Sequence, residues 1–195
     1  MKIPGLLHRW ILIALKPVTK LMGKIHFAPH ARKILAHDVI AIEDAMLPGD
    51  GIITFSEGEL TNYFIDGEYK HCAMYLGQGQ VIEAVGKGVV ITDLEDFCAS
   101  KDKICVVRPK FCTFDERLRA VKYALTQVGT AYDYEFNPNV DSFYCAELYT
   151  QALQMATSFT SPFFPREVMG MMTVLPVDFK LATKKFEIVI ERPIG

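Results

Sequence analysis

The stretch His71-Cys-Ala-Met-Tyr-Leu-Gly-Gln-Gly-Gln-Val-Ile-Glu-Ala decides the fold. Two short runs of apolar and β-branched residues flank a glycine-bearing turn, a pattern that predicts a β-hairpin. Successive side chains of a strand point to opposite faces, so a shift of the pairing by one residue inverts every side chain. The length of the turn therefore decides whether His71 and Glu83 share a face.

Two turn lengths are compatible with the hairpin sequence. A two-residue loop would pair Met74 with Glu83 and would point Glu83 away from His71. A three-residue loop over residues 77–79 would pair Ala73 with Glu83 instead. His71 and Glu83 would then be diagonal neighbours on one face. We predict the three-residue loop with its last glycine in the left-handed conformation, because this is a common hairpin geometry.

The rest of the chain supplies strand and helix patterns without an internal repeat. Predicted strands lie at residues 51–55, 71–76, 81–85, 89–92, 104–108 and 186–191, and predicted helices at residues 29–45, 93–100, 113–128 and 142–156. This order predicts an α+β fold with a mainly antiparallel sheet packed against helices. We expect residues 1–45 to be a basic, amphipathic helical segment and residues 46–195 to form the domain.

Composition and charge limit the function classes. The 195 residues carry a net charge of -2 and have a pI near 6.2, which argues against nucleic acid as a partner. The five cysteines are an odd set without a Cys-x-x-Cys pair. This favours a reducing compartment and argues against a disulfide framework or a zinc knuckle. We therefore expect a cytoplasmic protein, peripheral to the membrane if its N-terminal segment binds there, without a cofactor or a bound metal.

The N-terminal segment is basic and amphipathic. Seven basic residues precede the first acidic residue, Asp38, and they are Lys2, Arg9, Lys16, Lys20, Lys24, Arg32 and Lys33. Apolar residues recur at helical spacing over residues 7–25, and the apolar run at residues 10–15 is too short to span a bilayer. Three interpretations remain open: a helix packed on the domain, a helix at a membrane surface, or an export signal.

Cys145 is the candidate nucleophile. It lies in Asp-Ser-Phe-Tyr-Cys-Ala-Glu-Leu-Tyr, residues 141–149, just after a predicted helix cap. The partial positive charge of a helix N-terminus favours the thiolate, which is the reactive form of cysteine. His71 would act as the base and Glu83 would orient its ring. The spacing is also compatible with a core histidine, a surface glutamate and a buried cysteine, and no ligand spacing supports a metal site.

The other cysteines are not predicted to react. Cys72 points away from its strand neighbour His71 and cannot use it as a base. We expect Cys72, Cys98, Cys105 and Cys112 to act as small hydrophobic residues that are buried or half-buried.

The loop before the predicted nucleophile helix supplies candidate substrate-binding residues. Tyr132 and Tyr134 could form an apolar wall with a hydroxyl donor, and Asp133 could bind a substrate amine; a purely structural turn is the alternative. The backbone N–H of Cys145 is a candidate oxyanion donor, because N–H groups at a helix start have no intrahelical partner. Glu147 lies two residues further on the helix and is expected to face elsewhere.

Three blocks of the sequence resemble the circularly permuted branch of the NlpC-type papain-like cysteine hydrolases, the YiiX/YebB-like group. They are Pro48-Gly-Asp-Gly-Ile-Ile; the hairpin of residues 71–84 with Gly88-Val-Val-Ile-Thr-Asp-Leu; and Gly129-Thr-Ala-Tyr-Asp-Tyr-Glu-Phe with Tyr144-Cys-Ala-Glu-Leu. The resemblance covers residues 47–155. It implies a permuted papain-like fold in which histidine precedes cysteine, with Cys145 as nucleophile, His71 as base and Glu83 as the third polar residue.

The expected function is cleavage of an amide bond, in a peptide or a cell-wall-type fragment, through a cysteine acyl-enzyme. Two alternatives stay open. One is a lipid-directed acyl hydrolase or acyltransferase at a membrane surface, which the basic N-terminus and the lecithin:retinol acyltransferase relatives of the group suggest. The other is a non-catalytic binding domain, because function belongs to the site and not to the fold.

Overall fold

The computed structural model describes residues 33–57, 67–134, 142–157, 166–168 and 171–193. The predicted amphipathic helix at residues 7–25 lies outside this part of the chain. The described helices are α1 (Ala36–Ala45), α2 (Leu94–Cys98), α3 (Phe114–Thr126), α4 (Cys145–Thr157) and α5 (Pro176–Leu181). None of these helices is long and apolar enough to cross a membrane.

Six strands form one antiparallel sheet in the order β10-β5-β1-β2-β3-β4, as the α+β prediction requires. These strands are β1 (Gly51–Phe55), β2 (His71–Gly77), β3 (Gln80–Val85), β4 (Gly88–Asp93), β5 (Lys103–Pro109) and β10 (Phe186–Arg192). Two short pairs complete the described strands: β6 (Ala131–Tyr132) with β7 (Ser142–Phe143), and β8 (Arg166–Val168) with β9 (Met171–Thr173).

Helices cover both faces of the sheet, so the central strands are apolar on both sides. In β1, Ile52 packs in one core cluster with Ile42 of α1, while the adjacent Ile53 packs in the other with Leu153 of α4. Both isoleucines are fully buried. This explains why β1 reads as a continuous apolar run and not as an alternating one. We call the side with α1 and α2 the first layer and the side with α3 and α4 the second layer.

The Tyr149 side chain of α4 packs tightly against β1. A Cβ atom added to Gly51 would come within 2.5 Å of the Tyr149 ring, so only glycine allows this approach. The Tyr149 hydroxyl donates to the Gly49 carbonyl at 3.2 Å, and the Tyr149 ring packs on Phe179 of α5 with ring centroids 5.2 Å apart. These contacts fix the direction of α4 and therefore the position of its first residue, Cys145.

The hairpin has the predicted pairing but not the predicted turn. Ala73 pairs with Glu83, as expected for His71 and Glu83 on one face. The loop, however, has two residues, Gln78 and Gly79, with φ angles of 55° and 67°. A β-bulge between Tyr75 and Gly77 adds one residue to β2 and restores the register that the shorter loop would have shifted. The predicted three-residue loop was therefore wrong, but the prediction that His71 and Glu83 share a face of the sheet was right.

Two helix boundaries differ from the predictions. The helix predicted at residues 29–45 begins at Ala36, and residues 33–35 are not helical. The helix predicted from residue 142 begins at Cys145, because Ser142 and Phe143 pair with β6 as a short parallel strand. At the start of this helix, Glu147 Oε2 accepts the backbone N–H of Tyr144 at 3.4 Å. This is the half of a capping box that the third helical residue supplies.

Candidate active site

The hairpin brings His71 and Glu83 together. Glu83 Oε2 lies 2.7 Å from His71 Nε2, and both side chains are mostly buried. Burial alone would raise the pKa of Glu83, but the hydrogen bond and the charge of His71, the Thr92 hydroxyl and the charge of Lys101 lower it to about 2. The carboxylate is therefore an anion at neutral pH that can hold the imidazole ring and stabilise its protonated form.

Cys145 approaches the same ring from the second layer. Burial alone would lower the pKa of His71, but the hydrogen-bonding and charge interactions with Cys145 and Glu83 outweigh it and raise the pKa to about 9. From the first layer, the Phe97 ring of α2 lies with its centroid 6.1 Å from that of His71. His71 is the first residue of β2, so both layers reach it at the end of the strand. Since Nε2 faces Glu83, Nδ1 is the ring nitrogen available to the thiol.

Thr92 is a member of the site that the sequence analysis missed. Its hydroxyl Oγ1 donates to Glu83 Oε1 at 2.7 Å, so each oxygen of the carboxylate has its own partner. Thr92 lies on β4, where it pairs with Val81, and Glu83 pairs with Val90. The two side chains are therefore diagonal neighbours on one face. Threonine is common in strands, so nothing in the sequence distinguishes Thr92 from a structural residue.

The predicted substrate-binding loop lies beside the thiol. The Tyr134 hydroxyl donates to the Gly86 carbonyl at 2.9 Å, and the Tyr132 and Tyr134 rings pack edge to face with centroids 4.8 Å apart. Burial, the Cys145 sulfur and the neighbouring Tyr134 and Asp133 raise the pKa of Tyr132 well above its usual value. The Tyr132 hydroxyl is therefore neutral near Cys145.

Asp133 is buried, and its backbone N–H donates to the Phe143 carbonyl at 3.0 Å. The pKa of Glu147 is raised to about 8, mainly by burial and further by the charge of Asp133. The hydrogen bond from the Tyr144 N–H lowers this pKa but does not outweigh the other two effects. The expectation that Glu147 faces away from the His71 ring agrees with these contacts. At neutral pH the Glu147 carboxyl is therefore mostly protonated, and it lies beside the acidic Asp133 near the start of α4.

The other cysteines are free thiols, three of them buried and Cys112 half-buried, as predicted. Burial raises the pKa values of Cys98, Cys105 and Cys112 to about 12, and it raises that of Cys72 as well. Within the described ranges, no group of three or more His, Cys, Asp or Glu side chains could hold a metal ion.

A buried thiol at a helix start, a histidine and a carboxylate at the end of an antiparallel sheet are the arrangement of a papain-like thiol hydrolase. Residues 46–190 match the family described as "Permuted papain-like amidase enzyme, YaeF/YiiX, C92 family". The chain therefore belongs to this family of cysteine amidases, and the resemblance noted in the sequence is confirmed. The match extends beyond residue 155, where the resemblance ended, and includes most of β10.

One solved structure with a similar fold is described as the metalloprotein YiiX from Escherichia coli O157:H7. It superimposes with a TM-score of 0.60 at 19% sequence identity, covering 74% of this chain and 97% of the YiiX chain. At this identity the likeness shows the fold alone. A sequence search of curated proteins gave no match.

Proposed function

We propose that this protein hydrolyses an amide bond through a thioester formed on Cys145. The observation that carries the proposal is the contact of one imidazole ring with two complementary groups. Glu83 Oε2 lies 2.7 Å from Nε2, and interactions with Cys145 and Glu83 together outweigh the effect of burial and raise the pKa of the ring to about 9. Acyl transfer needs a nucleophilic sulfur and a proton donor for the leaving nitrogen, and Cys145 and His71 are groups of these two kinds.

In the first half-reaction, the Cys145 sulfur attacks the carbonyl carbon of the amide. The backbone N–H of Cys145, at the first position of α4, would donate to the oxyanion, since this N–H has no intrahelical partner. His71 gives its proton to the leaving nitrogen, the C–N bond breaks, and the acyl group remains on sulfur. Glu83 keeps the ring oriented throughout.

In the second half-reaction, the neutral His71 takes a proton from a water molecule, and the resulting hydroxide attacks the thioester carbon. The C–S bond breaks, the acid leaves, and the proton on His71 restores the starting pair. His71 therefore acts as the general acid in the first half-reaction and as the general base in the second.

For the substrate we propose a small peptide or a cell-wall-type peptide fragment. Tyr132 and Tyr134 form an aromatic wall beside Cys145, and the buried Asp133 carboxyl lies between them in the chain. This carboxylate would favour an acyl part with a free amine. Replacing Asp133 by Asn should raise KM for an amine-bearing peptide amide more than for its N-acetylated form.

The decisive variant is Cys145→Ala. It should abolish turnover of peptide amides, followed by amine release, and it should abolish labelling by iodoacetamide at the peptide that contains residue 145, followed by mass spectrometry. Cys112→Ala is the matched control, because Cys112 is a half-buried free thiol outside the site, and it should keep both signals. Turnover that persists in Cys145→Ala would refute the proposal.

A further inference from the structure

Glu83 is held by two hydrogen bonds of equal length on opposite oxygens. His71 Nε2 lies 2.7 Å from Oε2, and Thr92 Oγ1 lies 2.7 Å from Oε1. The terminal torsion of a glutamate is broad and has no strong preference of its own. Two partners on different strands therefore define the plane of the carboxylate, and His71 alone would leave it free to rotate.

A competing partner lies nearby. The Lys101 charge lowers the pKa of Glu83, so it acts on this carboxylate, and its ammonium group lies 5.4 Å from the centroid of the Phe97 ring that packs beside His71. A carboxylate released by Thr92 could turn Oε1 toward this cation. Such a rotation would move Oε2 away from Nε2 and leave His71 without its orienting anion.

We infer that Thr92 is a positioning residue for catalysis. It holds the Glu83 carboxylate in the orientation in which Oε2 faces His71 Nε2. The position of Thr92 in the sheet supports this role. Thr92 is the residue before the end of β4, and the start of α2 directly after β4 is fixed by the hydrogen bond from Leu94 N–H to the Gly79 carbonyl at 2.8 Å. This hydrogen bond fixes the backbone that directly follows Thr92, and the Thr92 hydroxyl itself is held by Glu83 Oε1. The inference rests on the proposed function, because it assigns Thr92 a task within the same site.

The test is a double-mutant cycle with Thr92→Val and Glu83→Ala. Valine keeps the shape and strand preference of threonine but removes the hydroxyl. In the native background, Thr92→Val should lower kcat/KM roughly ten- to hundredfold through kcat, because it displaces a catalytic group without touching the substrate. In the Glu83→Ala background, Thr92→Val should cause no further loss, since Thr92 acts only through Glu83.

Two further variants separate the hydroxyl from the strand. Thr92→Ser keeps a donor at the same position and should restore kcat to within a few-fold of the native enzyme. Thr126→Val is the matched control, because Thr126 also donates a hydrogen bond, to the Tyr123 carbonyl at 2.7 Å on α3 away from the site. It should leave kcat unchanged. An equal loss from Thr92→Val in both backgrounds, or no loss in the native background, would overturn the inference.

A second readout does not depend on turnover. The pKa of the His71 ring, followed by NMR, should fall from about 9 in Glu83→Ala and fall part of the way in Thr92→Val. If Glu83→Ala changes neither the ring pKa nor kcat, the proposed role of Glu83 fails. If Glu83→Ala changes both and Thr92→Val changes neither, the inference about Thr92 alone fails.

Discussion

At the scale of single residues, the charge of His71 is set by neighbours from different elements. Burial disfavours the protonated ring, and the Cys145 sulfur and the Glu83 carboxylate favour it more strongly, which raises the pKa to about 9. Above this pH the ring is neutral and cannot give a proton to a leaving amine. The pH dependence of the reaction therefore reports on this contact.

We predict that kcat/KM for a peptide amide falls above about pH 9, with His71 as the group that loses a proton. Glu83→Gln removes the anion that stabilises the protonated ring, so this alkaline limb should move to lower pH, by about one unit. The measurement is kcat/KM for the native protein and the variant between about pH 5 and 10. A histidine and its neighbours titrate roughly within this range.

The control for this pH profile is Glu95→Gln. Glu95 is an exposed carboxylate in the first turn of α2, so the substitution removes the same charge from the protein but not from the ring. Its alkaline limb should coincide with that of the native protein. A limb that stays in place in Glu83→Gln would contradict the assignment of the proton to His71.

At the scale of elements, the β2–β3 hairpin places His71 and Glu83 by combining a tight turn with a bulge. The turn requires positive φ angles at both of its residues, and Gln78 adopts 55° although it is not glycine. A side chain in this conformation costs roughly 1–2 kcal/mol, less for asparagine, which is the residue that such turns prefer. The turn is therefore locally unfavourable in conformational energy, and the pairing of β2 with β3 compensates for this cost.

We predict that Gln78→Asn raises the free energy of unfolding by about 0.5–1 kcal/mol, because asparagine tolerates the left-handed conformation. Urea denaturation measures the change. The matched control is Gln80→Asn two residues later, at an exposed position in β3 without a positive φ angle. It should give no increase, and a gain of similar size at both positions would argue against the turn as the cause.

At the scale of the whole molecule, Asp50 joins three elements from a fully buried position. Its carboxylate accepts the backbone N–H of Leu47 at 2.8 Å and the guanidinium groups of Arg108 in β5, at 2.6 and 2.9 Å, and of Arg117 in α3, at 3.1 Å. Asp50 belongs to the block Pro48-Gly-Asp-Gly-Ile-Ile, but the sequence does not reveal its arginine partners, which are 58 and 67 residues away along the chain.

We predict that Asp50→Asn lowers the free energy of unfolding by about 3–5 kcal/mol, because it leaves the buried Arg117 without its carboxylate. Urea denaturation followed by circular dichroism measures the loss. Glu68→Gln is the control, since Glu68 forms an exposed ion pair with Lys103 at 2.9 Å and should cost less than about 1 kcal/mol. A loss in Asp50→Asn no larger than that in the control would show that the buried cluster does not hold the layers together.

The sequence by itself determined the six strands of the main sheet, the helix α3 with its capping box of Thr113 and Glu116, and the face shared by His71 and Glu83. Each of these depends on neighbours within a few residues, through side-chain alternation, capping and turn preferences. It also made Cys145 a candidate nucleophile, through its place before an amphipathic run. The length of the turn escaped the analysis because a bulge and a shorter loop give the same register as a longer loop.

Only the tertiary structure decided which groups meet at the end of β2. Cys145 reaches His71 because Tyr149 and Gly51 fix the close packing of α4 on β1, and Thr92 reaches Glu83 because β4 pairs with β3. Both contacts join residues from different elements, and their positions follow from how layers and strands pack. Local sequence patterns carry the period of each element but not the distance between elements. The contact of Cys145 with His71 was therefore only a hypothesis from residue chemistry and the family resemblance, and the contact of Thr92 with Glu83 was not expected at all.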